Sequence, residues 1–368
     1  SDQPMVDQEL RLALVFNGTI YNYKELRAEL VEMGYTFFSE GDTEVIIKAY
    51  HAWGEKCVER FFGMFAFALW DMRHATLFMA RDRFGIKPLY YSLDGAHLRF
   101  ASNVQALLAA GGVDTSIDAI ALHHHFTLHA VVPAPRTILN GVKKLPPATT
   151  MTLTATGKIS QRTYWSLDAT RPDQTLSEQD WLKATRIILT RAVERHRLAS
   201  DVPVGVLLSG GLDSSLLVAL LADHVEHLLT FSVGFEDIGD GAEKGDEFEY
   251  SDQVAEHFKT RHHKFLIPNS EVLNRLPEAV SNMAEPMVSQ DAVAFYLLGE
   301  RVSDEVKVVL SGQGADEVFG GYFWYPVMDQ ASGSNLEKFR SNYFDRDHNE
   351  YLEMVSAAYH VPDVTSVM

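Results

Sequence analysis

The stretch VGVLLSGGLDSSLLVALL, at residues 204–221, constrains the fold of this chain more than any other feature. Residues 204–208 form an unbroken apolar run, which predicts a strand buried on both faces of a parallel sheet. The glycines that follow predict a tight loop, and leucines at helical spacing predict a helix packed back on the sheet. A glycine loop between a strand and a helix N-terminus is typical of a phosphate-binding site, because its backbone N–H groups point at the ligand.

This loop differs from a Walker A sequence, because it has no lysine to hold the β- and γ-phosphates. It carries instead the hydroxyls of Ser209, Ser214 and Ser215 and the carboxylate of Asp213. A carboxylate beside phosphate requires a divalent cation between them, so the loop predicts an ATP site in which Mg²⁺–pyrophosphate is held and leaves. The structural alternative is a helix N-cap formed by Asp213 or Ser214 after an ordinary turn.

The composition sets outer limits on the function. The chain has 368 residues, 46% of them hydrophobic and 22% charged, which is ordinary for a globular protein of about two domains. A net charge of −18 argues against a nucleic-acid partner. No apolar run approaches the roughly 18 residues of a membrane span, so no membrane partner is expected. The single cysteine favours a reducing, cytoplasmic location.

The first half predicts an antiparallel α+β domain. A strand is expected at residues 12–16, and a helix capped by Asn22 with Glu25 in a capping box is expected to end at Gly34. The other predicted elements are helices at 43–53, 104–110 and 117–129 and hairpins at 64–80, 89–101 and 149–164. Residues 1–165 form this predicted domain.

Residues 166–180 are polar and predict a linker to a second domain at 181–368. There the pattern changes to strand–helix alternation, which predicts a doubly wound parallel sheet. The predicted strands are 204–208, 228–233, 264–267 and 306–310, and the predicted helices between them are 250–258, 271–283 and 293–302.

The last predicted strand ends in a second glycine loop, Ser311-Gly312-Gln313-Gly314, followed by Asp316. In an open parallel sheet the carboxyl ends of the strands lie at one edge, so both glycine loops are expected to meet there. Asp213 and Asp316 would then face one metal ion. Two separate helix caps are the alternative.

The first half offers a smaller set of candidates. Asn17 and Gly18 follow a strand, and an amide beside a glycine N–H is suited to an oxyanion hole. Asp42 precedes a helix and would hold a substrate ammonium. All three are equally compatible with ordinary turns. His125 and His129 are four apart on a predicted helix and form a candidate metal pair without a third ligand, and Cys57 is interpreted as core packing.

Several segments taken together resemble one family over nearly the whole chain. The similar segments are FNGTIYNYKEL, GDTEVIIKAY, GMFAFALWD, ARDRFGIKPLYY, DVPVGVLLSGGLDSS and SGQGADEVFGGY. In this order they resemble the glutamine-dependent asparagine synthetase family. FTLHAVVPAPRTI and EPMVSQDAVAFYLL are similar to its N-acetylglutaminylglutamine amidotransferase branch.

The resemblance implies a class II glutamine amidotransferase domain of the N-terminal-nucleophile fold, followed by an ATP-pyrophosphatase domain of the adenine nucleotide alpha hydrolase-like type. In the first domain, Asn17 and Gly18 match the oxyanion hole and Asp42 matches the residue that binds the glutamine amino group. Asp213 and Asp316 match Mg²⁺ ligands. The positions that match ATP-binding residues are Leu207, Ser209, Gly210, Gly211, Asp213, Ser214, Val233, Ser311 and Gly312.

The implied activity is that of an ATP-dependent carbon–nitrogen ligase. Its substrates would be glutamine, ATP and a carboxylate. A homodimer is a candidate assembly. ATP adenylates the carboxylate, and ammonia from glutamine crosses a closed tunnel and displaces AMP. Two rivals stay open: a nucleotide-binding regulatory protein without catalysis, and a ligase that uses free ammonia and keeps the first domain as a relic.

The chain also departs from the family pattern. The family nucleophile is an N-terminal cysteine, whereas this chain begins at Ser1, lacks the upstream arginine and ends before a family lysine. We therefore expect a fragment, truncated at both ends, that does not hydrolyse glutamine. Asparagine synthetases proper carry an acidic residue where Gln313 lies, which favours an N-acetylglutaminylglutamine-type dipeptide over aspartate as the acceptor. Glu285 and Asp291 are expected to line the acceptor site; a helix-start cap and a solvated carboxylate are the alternatives.

Overall fold

A computed structural model describes residues 2–95, 97–168, 175–236, 248–287 and 290–365, without the side chains of residues 290 and 291. The chain forms two compact units. The first comprises Ser1–Pro172 together with Asp345–Met368, and the second comprises Asp173–Phe344. In the described part of the chain, no helix combines the length and the apolar character needed to cross a membrane.

The first unit contains nine described strands and six described helices. The strands are Met5–Asp7 (β1), Leu12–Ile20 (β2), Gly63–Asp71 (β3), Thr76–Arg81 (β4), Tyr90–Asp94 (β5), His97–Ala101 (β6), Lys143–Lys144 (β7), Thr149–Thr154 (β8) and Ile159–Thr163 (β9). The helices are Tyr23–Glu32 (α1), Asp42–Trp53 (α2), Cys57–Arg60 (α3), Val104–Ala109 (α4), Ala119–Thr127 (α5) and, from the C-terminal stretch, His348–Met354 (α14).

These elements form layers around two cores. Six strands make an antiparallel sheet in the order β1-β2-β3-β4-β8-β9, and β6-β5-β7 make a smaller sheet. One face of the large sheet packs against α1, α2 and α3 around buried side chains such as Ile46, Phe65 and Phe67. Its other face packs against the small sheet through residues such as Met79 and Leu145. The predicted α+β class and its three hairpins are confirmed.

Two predicted elements of this unit are present with different bounds, and one predicted cap is wrong. The strand predicted at 12–16 continues to Ile20. Asn22 precedes α1 without capping it through its side chain, because its amide donates to the Arg60 carbonyl at 3.0 Å and its Oδ1 accepts from the Phe62 N–H at 2.9 Å. Helix α5 ends at Thr127, so the helix predicted to reach residue 129 is shorter. A long-range contact therefore replaces the local cap at Asn22.

The second unit alternates strands and helices. The strands are Val204–Leu207 (β10), Leu229–Phe235 (β11), Arg261–Ile267 (β12) and Val308–Leu310 (β13). The helices are Glu178–Leu198 (α6), Leu212–Ala222 (α7), Phe248–Phe258 (α8), Asn269–Asn282 (α9), Gln290–Ser303 (α10), Ala315–Phe319 (α11), Trp324–Gln330 (α12) and Asn335–Tyr343 (α13).

The four strands are parallel and lie in the order β12-β11-β10-β13. One face packs against α6, α7 and α8 through Val206 and Val218, and the other packs against α10 through Phe231 and Leu298. The predicted doubly wound sheet is confirmed, and the strand order reverses between β10 and β13. A ligand crevice is expected at such a reversal, outside the carboxyl ends of the strands.

Helix α6 was not predicted from the sequence. It begins at Glu178 after a capping box, in which the Ser177 hydroxyl accepts from the Asp180 N–H and the Asp180 carboxylate accepts from the Ser177 N–H. The last residues of the stretch predicted as a linker are therefore helical. Residues 169–174 of that stretch lie outside the described residues.

Candidate functional site

A cavity of about 310 Å³ opens at the carboxyl ends of β10 and β13, at the reversal of strand order. Residues from both glycine loops line it, together with residues from β11 and α10. The lining residues are Leu207, Leu208, Ser209, Gly211, Asp213, Ser214, Phe231, Ser232, Val233, Phe295, Leu298, Ser311, Gly312, Gln313 and Asp316. The two loops predicted to converge therefore share one cavity.

The first glycine loop is fixed by a close approach of the backbone to α8. Gly210 has a φ of +91°, and a Cβ atom there would lie 2.5 Å from the Cβ of Tyr250 and 2.6 Å from the Ser251 nitrogen. Only glycine fits this position without displacing α8. The Ser209 hydroxyl accepts from the Gly211 N–H at 3.2 Å and lies 3.1 Å from the Ser214 hydroxyl. These contacts hold the loop in one shape beside the cavity.

Helix α7 presents its N-terminus to the same cavity. It begins at Leu212, and Gly211 at the N-cap contributes no side chain. The first-turn N–H groups of a helix have no intrahelical acceptors, and the helix dipole makes this end positive. Asp213 and Ser214 of this first turn line the cavity. The arrangement suits an anionic group such as phosphate.

The second glycine loop lies directly against the first. A Cβ atom on Gly312 would lie 2.8 Å from the Cβ of Asp213. Asp316, in the first turn of α11, lines the same cavity as Asp213. Two carboxylates, each in the first turn of a helix that follows one of two neighbouring strands, thus face one space, and carboxylate oxygens are the donors that Mg²⁺ prefers. The donor set fits a magnesium ion beside a phosphate.

Five lining residues were missed by the sequence prediction: Leu208, Phe231, Ser232, Phe295 and Leu298. Ser232 is buried and its hydroxyl donates to the Leu208 carbonyl, which joins β11 to the end of β10. Phe295 and Leu298 lie three apart on α10 and add an apolar wall. Their helical spacing was visible in the sequence, and a helix was predicted at 293–302. No local pattern indicated that this helix reaches the cavity.

The predicted acceptor residues do not all lie together. Gln313 lines the cavity. Glu285 is half-buried in the connection between α9 and α10 and is not among the described residues that line the cavity. The side chain of Asp291 lies outside the described residues. Gly210 shapes the loop but is likewise not among the lining residues.

The first unit has its own cavity, of about 260 Å³, lined by Asn17 with Phe16, Ala66 and Phe100 among others. Gly18 follows with a φ of +147°, and a Cβ atom there would lie 2.1 Å from the Met64 carbonyl oxygen. Glycine is therefore required for β2 to pair with β3 at this point. Asp42 does not line this cavity; its carboxylate accepts from the Ile20 N–H at 2.9 Å, two residues beyond Gly18 on the same strand.

Cys57 lies in the core of the first unit and has no exposed surface. Burial raises the pKa of its thiol well above the ordinary range, because the thiolate would lose its hydration. A neutral, buried thiol is a poor nucleophile. The structure therefore agrees with the interpretation of Cys57 as core packing.

Comparison with known proteins assigns both units. Residues 1–165 match the glutamine amidotransferase domain family, and residues 184–362 match the asparagine synthase family. The layered first unit and the parallel-sheet second unit thus define a glutamine amidotransferase domain followed by an ATP-pyrophosphatase domain. The chain belongs to the asparagine synthetase family.

Three relatives illustrate this similarity. Asparagine synthetase (glutamine-hydrolyzing) 1 of Bacillus subtilis is 38% identical over 323 residues, covering 88% of this chain and 50% of that protein. Asparagine synthetase (glutamine-hydrolyzing) 3 of the same organism is 36% identical over 331 residues, covering 87% and 53%. Amidase chyE of Penicillium rubens is 29% identical over 341 residues, covering 87% and 49%. The chain spans about half the length of these relatives.

Proposed function

We propose that the second unit activates a carboxylate as an acyl-adenylate with ATP, releases pyrophosphate, and amidates the carboxylate with ammonia. The observation that supports this most directly is the meeting of two glycine loops in one cavity with Asp213 and Asp316. A site that only bound ATP would have no need of carboxylates beside the departing pyrophosphate. Adenylation replaces a poor leaving oxygen by AMP, which ammonia displaces to give the amide.

The proposed roles follow from the surroundings of each residue. The N–H groups of the first turn of α7 and the hydroxyls of Ser209 and Ser214 bind the β- and γ-phosphates. Asp213 and Asp316 hold Mg²⁺, which neutralises charge on the leaving pyrophosphate. The apolar side chains of Leu207, Val233 and Phe295 contact the adenosine. Ser311 and Gly312 form the wall of the cavity beside the α-phosphate.

We propose glutamine as the source of ammonia, in the first unit. Asn17 and Gly18 supply the oxyanion hole, where the amide N–H of Asn17 and the backbone N–H of Gly18 stabilise the tetrahedral intermediate. Asp42 binds the glutamine ammonium. Two observations support these roles. Asn17 of β2 lines a cavity, and the Asp42 carboxylate accepts a hydrogen bond from the Ile20 N–H of the same strand. In a full-length enzyme that hydrolyses glutamine, Asn17→Ala should lower glutamine-dependent amidation by about 10²–10³-fold and leave ammonium-dependent amidation unchanged.

For the acceptor we propose an N-acetylglutaminylglutamine-type dipeptide. Gln313 lines the cavity and offers a neutral amide that hydrogen-bonds a peptide group, whereas it provides no base for the chemistry. Glu285 and Asp291 are the further proposed acceptor residues. The names of the Bacillus subtilis relatives favour a second candidate, free aspartate. Amidation of the dipeptide and of aspartate, measured side by side at equal concentration, separates the two.

The decisive experiment is pyrophosphate release with Mg-ATP and ammonium chloride, with and without the acceptor. We expect release to depend on the acceptor and to fall by at least about 10²-fold in Asp213→Asn, because the Mg²⁺ ion that would neutralise the departing pyrophosphate loses a ligand. Asp223→Asn is the matched control: this exposed residue caps the other end of the same helix. Nucleotide binding is measured in parallel by calorimetry.

Two results would contradict the proposal. Nucleotide binding without acceptor-dependent pyrophosphate release under any of these conditions would favour a regulatory nucleotide-binding protein. Equal losses of pyrophosphate release in Asp213→Asn and Asp223→Asn would show that the integrity of α7 limits turnover, and not the carboxylate in the cavity.

A further inference from the structure

A second group of metal-ligating side chains lies in the first unit, outside both cavities. His123 of α5, His348 at the start of α14 and Asp363 of the C-terminal stretch each place a ligand atom within 4.8 Å of the other two. The Nε2 atom of His123 is 3.0 Å from the Nδ1 atom of His348. Residues 123 and 348 are 225 positions apart in sequence, so folding alone brings these ligands together.

The spacing of the three groups fits a first-row metal ion. At Zn–N distances of 2.0–2.1 Å, two ligands of a tetrahedral zinc ion are about 3.3 Å apart. The two imidazole nitrogens are already close to that separation, at 3.0 Å, and the Asp363 carboxylate lies within 4.8 Å of both. Two imidazoles with one carboxylate form a common three-ligand zinc set, in which water completes the tetrahedron. Imidazole ligands favour zinc over Mg²⁺, which prefers oxygen.

The ligands are held in place by their surroundings. The His123 ring is fully buried and contacts the ring of Tyr351 edge to face, with 4.7 Å between the centroids. The hydroxyl of Tyr351, itself fully buried, donates to the Tyr359 carbonyl at 2.7 Å. Asp363 accepts through Oδ1 from the N–H of Thr365 at 3.1 Å and from its hydroxyl. Such outer contacts orient metal ligands and raise the affinity of a site.

The histidine pair considered in the sequence analysis, which had no third ligand, is a different one, and the structure does not hold it on one helix. His125 and His129 were expected four apart on one helix, but α5 ends at Thr127 and His129 lies beyond it, with its Nδ1 3.0 Å from Asp345 Oδ1. The histidine-rich run does contribute to the new group, but through His123. The partners come from the far end of the described chain, which no local spacing could reveal.

We propose that His123, His348 and Asp363 bind one Zn²⁺ ion, which fastens the segment from Asp345 onward to α5. The segment is already joined to the end of α5 by the bond from the Asp345 N–H to the Thr127 carbonyl, at 3.2 Å. The ion adds a cross-link at the other end of the segment. This site is independent of ATP and glutamine, and its three protein ligands would leave one position of the ion open to water.

The test is a zinc titration of the chelator-stripped protein by isothermal calorimetry, with a competing chelator to set the free zinc. We expect one tight site per chain. His348→Ala and Asp363→Asn should each weaken it at least about 100-fold, since loss of a ligand costs no less than loss of a second-shell partner. His97→Ala, an exposed histidine of the same unit, is the matched control and should bind zinc like the wild type.

A second measurement does not depend on affinity. Zinc should slow hydrogen exchange in residues 348–363 of the wild type and leave the exchange of His348→Ala unchanged. His123 is avoided as a test position because its burial makes misfolding of a variant a rival explanation. The proposal is overturned if the wild type binds zinc no more tightly than His348→Ala and Asp363→Asn, which would mean that the two imidazoles share only a hydrogen bond.

Discussion

Gly210 and Gly314 have nearly the same backbone conformation, with φ of +91° and +93°, but very different surroundings. A Cβ atom at Gly210 meets α8 below 3 Å, whereas nothing lies within 4 Å of one at Gly314. Gly314→Ala should therefore cost only the left-handed backbone strain, roughly 1–2 kcal/mol. Gly210→Ala should cost a further 1–3 kcal/mol or so, from overpacking against α8.

Urea denaturation of both variants checks this difference, because both residues belong to the second unit. We also expect Gly210→Ala to bind Mg-ATP more weakly, since α8 or the loop must move. Equal losses of unfolding free energy at the two positions would show that backbone strain alone accounts for Gly210, and that the contact with α8 adds nothing.

The thiol of Cys57 gives a pH-dependent prediction. Its pKa is raised by burial, so the native state keeps the proton at a pH at which the unfolded chain loses it. Stability should then fall as pH rises above the ordinary thiol pKa of about 8.5, by up to about 1.4 kcal/mol per pH unit from this group. Cys57→Ala should lose less stability than the wild type between pH 8 and pH 10. The reagent DTNB should label the wild type only in denaturant, and rapid labelling of the native protein would contradict this account.

At the scale of elements, a buried charge cluster joins β1 to α2. The Lys48 ammonium lies 2.5 Å from Asp7 Oδ2 and 3.7 Å from Glu44 Oε1, and all three side chains are buried. Burial opposes ionisation of Asp7, but the Leu10 N–H and the Lys48 ammonium outweigh it and lower the pKa of this carboxyl. The cluster therefore stabilises the fold above the ordinary carboxyl pKa and loses that contribution as pH falls through the lowered value.

Lys48→Met should destabilise the first unit by about 3–5 kcal/mol at pH 7, because two buried carboxylates lose their cation. The deficit should shrink in acid, because protonation of Asp7 removes its uncompensated charge. Thermal unfolding from pH 3 to pH 7 measures both effects, with the exposed Lys56→Met as control. A deficit that is the same at every pH would mean that lost packing, not charge, is responsible.

The elements also show what the sequence could predict. Apolar segments predicted all four strands of the parallel sheet, but the edge strand β12 begins three residues before its predicted start, at Arg261, because its first half is polar. Helix α6 was missed because Val193 is its only fully buried side chain among its described residues, so it shows little of the usual apolar stripe. Asn22 had the local pattern of a cap, but Arg60 and Phe62 offered its side chain better partners.

The candidate site divides in the same way. Residues in the two glycine loops were predicted, because adjacent or closely spaced glycines between a strand and a helix are visible in the sequence. Parallel strands then bring the two loops together at one edge of the sheet. Ser232 and Phe295 were missed, because only tertiary packing brings the middle of β11 and a helix from the other face to the cavity. Gly18 was expected in a turn and lies inside a strand, where the Met64 carbonyl leaves no room for a side chain.

At the scale of the whole chain, the net charge of −18 and the pI of about 5.2 govern colloidal behaviour. Mutual repulsion keeps such chains apart near neutral pH and vanishes at the pI. Light scattering between pH 4 and pH 8 should show maximal association near pH 5, and at pH 7 added salt should increase association by screening the repulsion. Maximal association at or above pH 7 would show that an apolar surface, not charge, controls solubility.

The order of strands in the second unit has an evolutionary consequence. The first glycine loop follows β10, whereas Gln313 follows β13, which is reached only after the chain has crossed both faces of the sheet. The two walls of the cavity are thus encoded in separate segments of the chain that meet where Gly312 packs against Asp213. Under the proposed function, a substitution near Gln313 that changes the acceptor has to preserve this contact, so the later segment does not vary independently of the earlier one.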